Sequence, residues 1–282
     1  MDLSIVFLSR VSNDVSITML VNAITSCIET TLDYKVEIIV VESGDLDKAQ
    51  QIVENKATLI PYKFSEFNFH KALNIGLENA NGRLICFSNN DVVFYKDWFE
   101  HIDLSITQYD LDLASPVDPK EDKLWMTNKE NISFIEGYQI QKHFKGWCFV
   151  AHKRVFNVIK KFDEQFDFYF ADNDFITQVE FSGFKHAAVL SSKVHHLAKD
   201  STPYIKDAGL LLEKEKVNLH QVPSYVIKEN RWWLVENKKM INGLLKYHKK
   251  WGTHKIIKGK KMISHYLIKW NLKRFSRILF LK

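Results

Sequence analysis

Apolar runs of strand length alternate along the chain with stretches whose apolar residues recur at helical spacing. Leu3 to Leu8 (LSIVFL) and Val36 to Val41 (VEIIVV) are near-continuous, the pattern of strands buried on both faces. Between them Ile17, Leu20, Val21, Ile24 and Ile28 fall on one helical face, and Asn13 or Asp14 offers a cap. A turn at Glu42-Ser43-Gly44-Asp45, a short helix about Asp47 to Glu54 and a strand about Ala57 to Tyr62 follow. A second amphipathic helix is predicted from about Asn68 to Ala80, burying Phe69, Ala72, Leu73, Gly76, Leu77 and Ala80. Asn81-Gly82 stops it, and Arg83 to Ser88 (RLICFS) reads as a fourth strand. This alternation predicts an α/β chain, a mostly parallel sheet flanked by helices.

The second half is less regular. A helix near Trp98 to Thr107 leads to a strand around Leu111 to Ser115 and a polar, looped stretch from Asp118 to Asn131. Beyond it come Gly146-Trp147-Cys148-Phe149-Val150, a helix near Arg154 to Lys160, the cluster Asp172-Asn173-Asp174 and a strand ending at Val194-His195-His196. Sites in sheets of this kind form at the carboxyl ends of the strands. Ser9-Arg10, Glu42-Ser43-Gly44 and Asn89-Asn90-Asp91 all fall there. A G-x-G-x-x-G after the first strand and a G-x-x-x-x-G-K-[ST] are both missing from the sequence, which argues against a dinucleotide fingerprint or a P-loop.

Two sets of motifs carry a resemblance. Phe67-Asn68-Phe69-His70-Lys71-Ala72-Leu73-Asn74-Ile75-Gly76, then Asn81-Gly82 and Asn89-Asn90-Asp91-Val92, resemble the donor-binding half of inverting family-2 glycosyltransferases of the GT-A fold. Phe162-Asp163-Glu164-Gln165-Phe166, Phe170-Ala171-Asp172-Asn173-Asp174-Phe175, Gly183-Phe184-Lys185 and Val194-His195-His196 follow in that family's order and at roughly its spacing. The resemblance spans about residues 3 to 200. It implies a nucleotide-sugar-binding half at 1–110 and an acceptor-binding half at 111–220, ahead of a C-terminal basic, helical extension at 221–282. The implied activity is transfer of a sugar from a nucleotide-diphosphate donor, a UDP-sugar, to a glycan or lipid-linked acceptor, with inversion by direct displacement.

That chemistry explains the residue types. A divalent cation held by a carboxylate stabilises the leaving diphosphate as a Lewis acid, and Asp91 is the carboxylate expected to hold it. Oxygen ligands suit Mg2+ or Mn2+, and an imidazole shifts the preference toward Mn2+. The resemblance places a metal-binding histidine at His195 or His196, with His195 favoured. Asn89 stands where the family's first Asp would be, so one charge is missing there. Inversion needs a general base opposite the leaving group, and Asp172 aligns with the family's aspartate, with Asp174 as the alternative. Ala171 replaces the common neighbouring Glu, which predicts a lower base pKa than a carboxylate pair has. The structural alternative is that both aspartates cap a helix starting near Phe175.

Ser9, Arg10, Glu42, Asn89 and Asn90 are the expected donor-binding residues, joined by Lys71 and Asn74, which lie off the apolar stripe of their helix. Gly146 and Trp147 are expected at the acceptor, the indole stacking on a sugar, although a tryptophan there also reads as core. His70, His101, His143, His152 and His186 lack ligand spacing and read as surface or satisfied core. Two alternatives stay open. A nucleotidyltransferase usually has a Gly-rich loop after the first strand, where this chain has Leu8-Ser9-Arg10-Val11-Ser12-Asn13. A catalytically inactive glycan- or membrane-binding module of the same fold is kept open by Asn89 and Ala171.

Charge changes the picture at the C-terminus. The formal net charge is +5, yet residues 238–282 hold 12 Lys and 2 Arg with no Asp or Glu, giving +14 and leaving −9 for the rest. Basic residues interleaved with Trp251, Tyr266, Trp270, Phe275 and Phe280 suit an anionic membrane surface, with Ile263, Tyr266, Leu267 and Trp270 as an imperfect stripe. A helical appendage packed on the catalytic domain is the other reading. Single-stranded nucleic acid also binds basic, aromatic grooves, but without a recognition fold nucleic acid is not expected as a partner. Charges interrupt every apolar run short of a spanning helix, and the N-terminus lacks the marks of a secretory signal. Cys27, Cys86 and Cys148 are odd in number and lack a C-x-x-C pair, which argues against disulfides or zinc. The expected location is cytoplasmic, peripheral on the inner face of the membrane.

Overall fold

A computed structural model describes residues 1–63, 65, 67–126, 133–197 and 238–251. Strand β1 (Leu3–Ser9) pairs in parallel with β2 (Val36–Glu42), and β2 with β3 (Thr58–Pro61). On its other side β1 pairs in parallel with β4 (Leu84–Asn89), which is followed by the short β5 (Val92–Phe94). Strands β6 (Leu113–Val117), β7 (Phe134–Glu136), β8 (Cys148–His152) and β9 (His186–His196) complete one sheet in the order β3-β2-β1-β4-β8-β6-β9-β5, with β7 also on β9. The sheet is therefore mixed. Strand β8 runs antiparallel between β4 and β6, and β5 and β7 share the outer edge of β9 at opposite ends.

Alternation along the strands separates two cores. Leu3, Ile5 and Phe7 of β1, with Ile38 and Val40 of β2 and Cys86 of β4, face one layer. That layer is made by α1 (Asp14–Glu29), α2 (Leu46–Val53) and α4 (Trp98–Tyr109). Val6, Ile39, Val41, Ile85 and Phe87 face the other layer, built on α3 (Phe69–Asn79), α6 (Arg154–Ile159) and α7 (Ala171–Phe181). Burial on both faces is what the continuous apolar strands require. A four-residue helix, α5 (Lys123–Met126), lies inside the stretch expected to be looped, residues 118–122 before it are loop, and 127–131 fall outside the described residues.

Local signals set the helix starts. Asn13 caps α1 in a reciprocal capping box with Ser16, and Asn68 caps α3 by accepting from Lys71 N at 3.0 Å. Helix α7 differs from expectation. It begins at Ala171 after a left-handed Phe170, with no side-chain cap, so Asp172 and Asp174 lie within its first turn rather than before it. The three cysteines are free and buried, and burial raises the Cys27 and Cys86 thiols.

The first part of the basic tail forms α8 (Lys238–Trp251), which buries Ile241, Leu244 and Trp251. Tyr247 Oη lies 2.8 Å from Thr177 Oγ1 of α7, and Lys250 pairs with Asp163 and Asp174. Residues 238–251 are thus a docked element of the domain, as the packed-appendage reading has it. The expected stripe at Ile263 to Trp270 lies outside the described residues.

Candidate functional site

The carboxyl ends of β1, β2 and β4 lie side by side, Ser9 level with Glu42 and Leu8 level with Asn89. Glu42 is fully buried, and its Oε1 accepts from Val11 N at 2.7 Å and Gly44 N at 2.6 Å, tying the loop after β1 to the turn after β2. Burial raises its carboxyl above the usual range, against opposing hydrogen bonds from Ser9, Val11 and Gly44. The two backbones touch there. A Cβ on Gly44 would lie 2.1 Å from Val11 O, so only glycine fits. Asn90 donates to Ser9 Oγ at 3.2 Å, joining the third loop to the first. Arg10 and Asn89 are partly exposed beside these buried groups.

On the other side of Asn89, its N–H bonds Trp147 O at 2.9 Å and brings the segment before β8 to the same edge. Trp147 stacks on His196, ring centroids 4.4 Å apart and planes 9° from parallel. His196 Nε2 lies 3.6 Å from Asp91 Oδ2, with the two side chains 11% and 13% exposed. Gly146 abuts Asp172 so closely that a Cβ would sit 2.2 Å from the carboxyl atoms. One wall therefore runs from Asp172 through Gly146, Trp147 and His196 to Asp91. Burial pushes the Asp172 carboxyl up to about 6.

Behind this wall lies a polar frame. Asp118, at the carboxyl end of β6, is fully buried and accepts from His196 N at 2.7 Å and His195 Nδ1 at 3.0 Å. Burial alone would raise its carboxyl, but those bonds and the Lys120 N–H outweigh it and hold the group below the usual range. Lys145 and Asp122 form an ion pair with both side chains 2% exposed, and the Lys145 ammonium lies 5.9 Å from the Trp147 ring centre. Asp118, Glu121, Asp122 and Lys145 were not among the expected site residues. Asp118 carried a readable signal, since it ends a strand parallel to β1 at the edge where sites form.

Three of the expected site residues make contacts other than those anticipated. His195, favoured for the metal, points away from Asp91, its Nδ1 on Asp118 and its Nε2 3.2 Å from Lys120 Nζ. Successive residues of a strand face opposite sides, so His196 alone of the pair reaches Asp91. Asn74 does not open into a cleft. It is buried, donates to Phe162 O at 3.0 Å and Glu164 Oε1 at 2.9 Å, and accepts from Phe162 N at 2.9 Å. Asp174, the alternative base, is fully buried under α8 with Lys250, Trp251 and Gln178 on its oxygens. Lys71 lies over the Tyr62 ring, 5.9 Å from its centre. Of the remaining histidines, His70 and His186 are satisfied core, bonded to Asp163 O and Gly137 O, and burial lowers both to about 4.

Among the described residues no group of three or more His, Cys, Asp or Glu side chains forms a ready metal cage. Asp91 and His196 nevertheless present one oxygen and one nitrogen donor side by side. That is the small protein contribution expected where substrate phosphates complete the coordination of Mg2+ or Mn2+.

The profile described as Glycosyl transferase family 2 matches residues 13–162. Among solved structures the chain resembles a mannosyltransferase from Pyrobaculum calidifontis in complex with GDP-Man and Mn2+, with a TM-score of 0.56 and 12% identity over 98% of this chain and 71% of that one. At that identity the likeness shows the GT-A-type fold. No curated protein matches the chain.

Proposed function

The chain belongs to glycosyl transferase family 2, and from that premise we propose that it moves a sugar from a nucleoside-diphosphate donor onto an acceptor hydroxyl with inversion by direct displacement. The observation that carries this reading is the wall joining Asp172 to Asp91 through Gly146, Trp147 and His196. A carboxylate of raised pKa stands at one end of that wall and an oxygen–nitrogen donor pair suited to a cation at the other, which supports the two roles the reaction needs.

Asp172 acts as the general base. A carboxyl at about 6 is ionised at neutral pH and is still basic enough to take the proton of a hydroxyl as the bond to the anomeric carbon forms. Gly146 leaves the space into which that carboxylate fits, and Trp147 offers apolar surface beside it for an acceptor sugar. Ser9, Arg10, Asn89 and Asn90 line the donor side, while Glu42 shapes it from beneath by holding two loops together. A divalent cation, Mg2+ or Mn2+, at Asp91 and His196 would supply Lewis-acid stabilisation of the departing diphosphate. The donor proposed first is a UDP-sugar, and a GDP-sugar, which the mannosyltransferase neighbour binds, is the second to test.

The acceptor proposed is a glycan or lipid-linked saccharide, in polysaccharide assembly at the cytoplasmic face of a membrane. No described helix is long and apolar enough to cross one. Helix α8 exposes Lys239, Leu245, Lys246 and Lys249, and residues 252–282 add seven Lys and two Arg with no acid, which supports peripheral attraction to anionic lipid. Salt-sensitive loss of liposome binding on removing 252–282 is the expected result, and unchanged binding rejects the attraction.

Thermal stabilisation by UDP, GDP and other nucleoside diphosphates, with and without Mn2+, tests the donor, because a ligand of the folded state raises its melting temperature. Donor hydrolysis and transfer then test catalysis. Absence of both binding and turnover with every nucleotide sugar returns the chain to the inactive-module reading.

A further inference from the structure

His196 is constrained on four sides. Its main-chain N–H bonds Asp118 Oδ2 at 2.7 Å, its ring stacks on Trp147, its Nδ1 lies 3.3 Å from Glu121 Oε1, and its Nε2 faces Asp91 Oδ2 at 3.6 Å. The last distance is too long for a hydrogen bond. The Glu121 contact is within reach of one, and a carboxylate can only accept, so the proton sits on Nδ1. In the neutral ring Nε2 then carries a lone pair, and it faces a carboxylate oxygen that also carries lone pairs. Two such acceptors side by side repel unless a cation joins them.

His195 has the opposite wiring. Its Nδ1–H is taken by Asp118, and its Nε2 lone pair already accepts from the Lys120 ammonium at 3.2 Å. The segment from Asp118 to Glu121 thus assigns different work to two adjacent imidazoles, closing the lone pair of one and presenting that of the other.

We propose that Glu121 is a positioning residue of the donor site: it fixes the Nδ1–H tautomer of His196 and so turns the Nε2 lone pair toward Asp91, while Trp147 holds the ring plane. The proposal rests on the functional reading only for the identity of what binds at Nε2, since the tautomer is a property of the metal-free protein. A carboxylate behind a ligating histidine is a recurrent way to set the tautomer and basicity, and its loss typically costs 10–100-fold in metal affinity.

Long-range proton–nitrogen NMR of the imidazoles at pH 8 reads the tautomer directly in wild type, Glu121→Ala and Glu121→Gln. Wild type and Glu121→Gln, whose amide oxygen still accepts, are expected to show His196 protonated at Nδ1. Glu121→Ala is expected to lose that preference. In a second arm, free Mn2+ is measured by electron paramagnetic resonance in the presence of UDP or GDP. Glu121→Ala should weaken Mn2+ binding by about 10–100-fold, and Glu121→Gln should recover most of it. An Nδ1–H tautomer and wild-type Mn2+ affinity retained in Glu121→Ala overturn the proposal. A tautomer that responds as stated in a protein that binds no Mn2+ with either nucleotide upholds the positioning role and removes the cation from the proposed function.

Discussion

Lys250 Nζ lies 2.7 Å from Asp174 Oδ1, and the same ammonium reaches Asp163 Oδ2 at 2.7 Å. Asp174 is fully buried, and Trp251 Nε1 donates to the same Oδ1 at 2.8 Å. A lysine from the basic tail therefore neutralises a carboxylate two positions from Asp172, in the first turn of the same helix. Residues 238–251 of the tail are thus tied to α7 by buried contacts and ion pairs.

Removing that ammonium strands a buried carboxylate. Lys250→Met should cost about 2–3 kcal/mol, less than the roughly 3–5 kcal/mol of a fully buried pair because the lysine is partly exposed. Adding Asp174→Asn should recover part of the loss, since the two residues are in contact and their effects are not additive. Denaturant melts of the single and double variants give both numbers. A Lys250→Met loss below about 0.5 kcal/mol, the scale of an ordinary surface change, contradicts this account.

Asn74 supplies a second stability test that separates structure from donor binding. Its three hydrogen bonds cross-link α3 to the Phe162–Glu164 segment 88 to 90 positions away. Asn74→Ala leaves buried backbone groups of Phe162 without partners and should cost about 1–3 kcal/mol. Nucleotide affinity at a temperature where the variant is folded should match wild type. A selective loss of nucleotide binding at unchanged stability would restore Asn74 to the donor site.

These two residues also show where sequence reading reaches its limit. The strands, their burial on both faces and the Asn13 and Asn68 caps follow from neighbours within a few positions, and the pattern displays them. Asn74 looked solvent-facing because a helical wheel records the helix alone, whereas the segment covering it arrives from across the fold. The antiparallel insertion of β8 and the edge of β9 shared by β5 and β7 are likewise long-range pairings with no local mark. The pairing of Asp91 with the Val194-His195-His196 segment was legible from motif order. Which histidine faces Asp91 depends on strand phase, and phase is fixed by the register of β9 against β5, with His196 opposite Val92.

Gly146 offers a test of the proposed base through its close approach to Asp172. A methyl at this position would meet the Asp172 carboxyl at 2.2 Å, so Gly146→Ala must displace it. Displacement on the order of 1 Å can cost about 100-fold in rate, and transfer should fall by that order while nucleotide affinity holds. Gly183→Ala is the control for surface glycine loss. It has nothing within 4 Å of the added Cβ and pays only for its left-handed backbone, so stability should drop with transfer preserved in the folded protein. Equal transfer rates for Gly146→Ala and wild type would detach Asp172 from the reaction.

The raised carboxyl of Asp172 makes activity and stability move in opposite directions with pH. In the unfolded chain an aspartate titrates near 3.9, and in the folded protein Asp172 titrates at about 6. Between those values the folded state holds a proton that the unfolded state has released, so raising the pH through this window favours unfolding. Above about 6 the full cost of ionising this partly buried, desolvated carboxylate is present. That same ionised form is the one able to accept the acceptor's proton, so kcat/KM for transfer should rise through about pH 6 and level off above it. Asp172→Asn removes both effects together. It should abolish transfer, leave nucleotide affinity near wild type, and make the protein more stable than wild type at pH 7.5 but not at pH 4. A variant less stable than wild type at both pH values would mean that the carboxylate is held by favourable contacts rather than against burial, and the assignment of Asp172 as base would lose its physical ground.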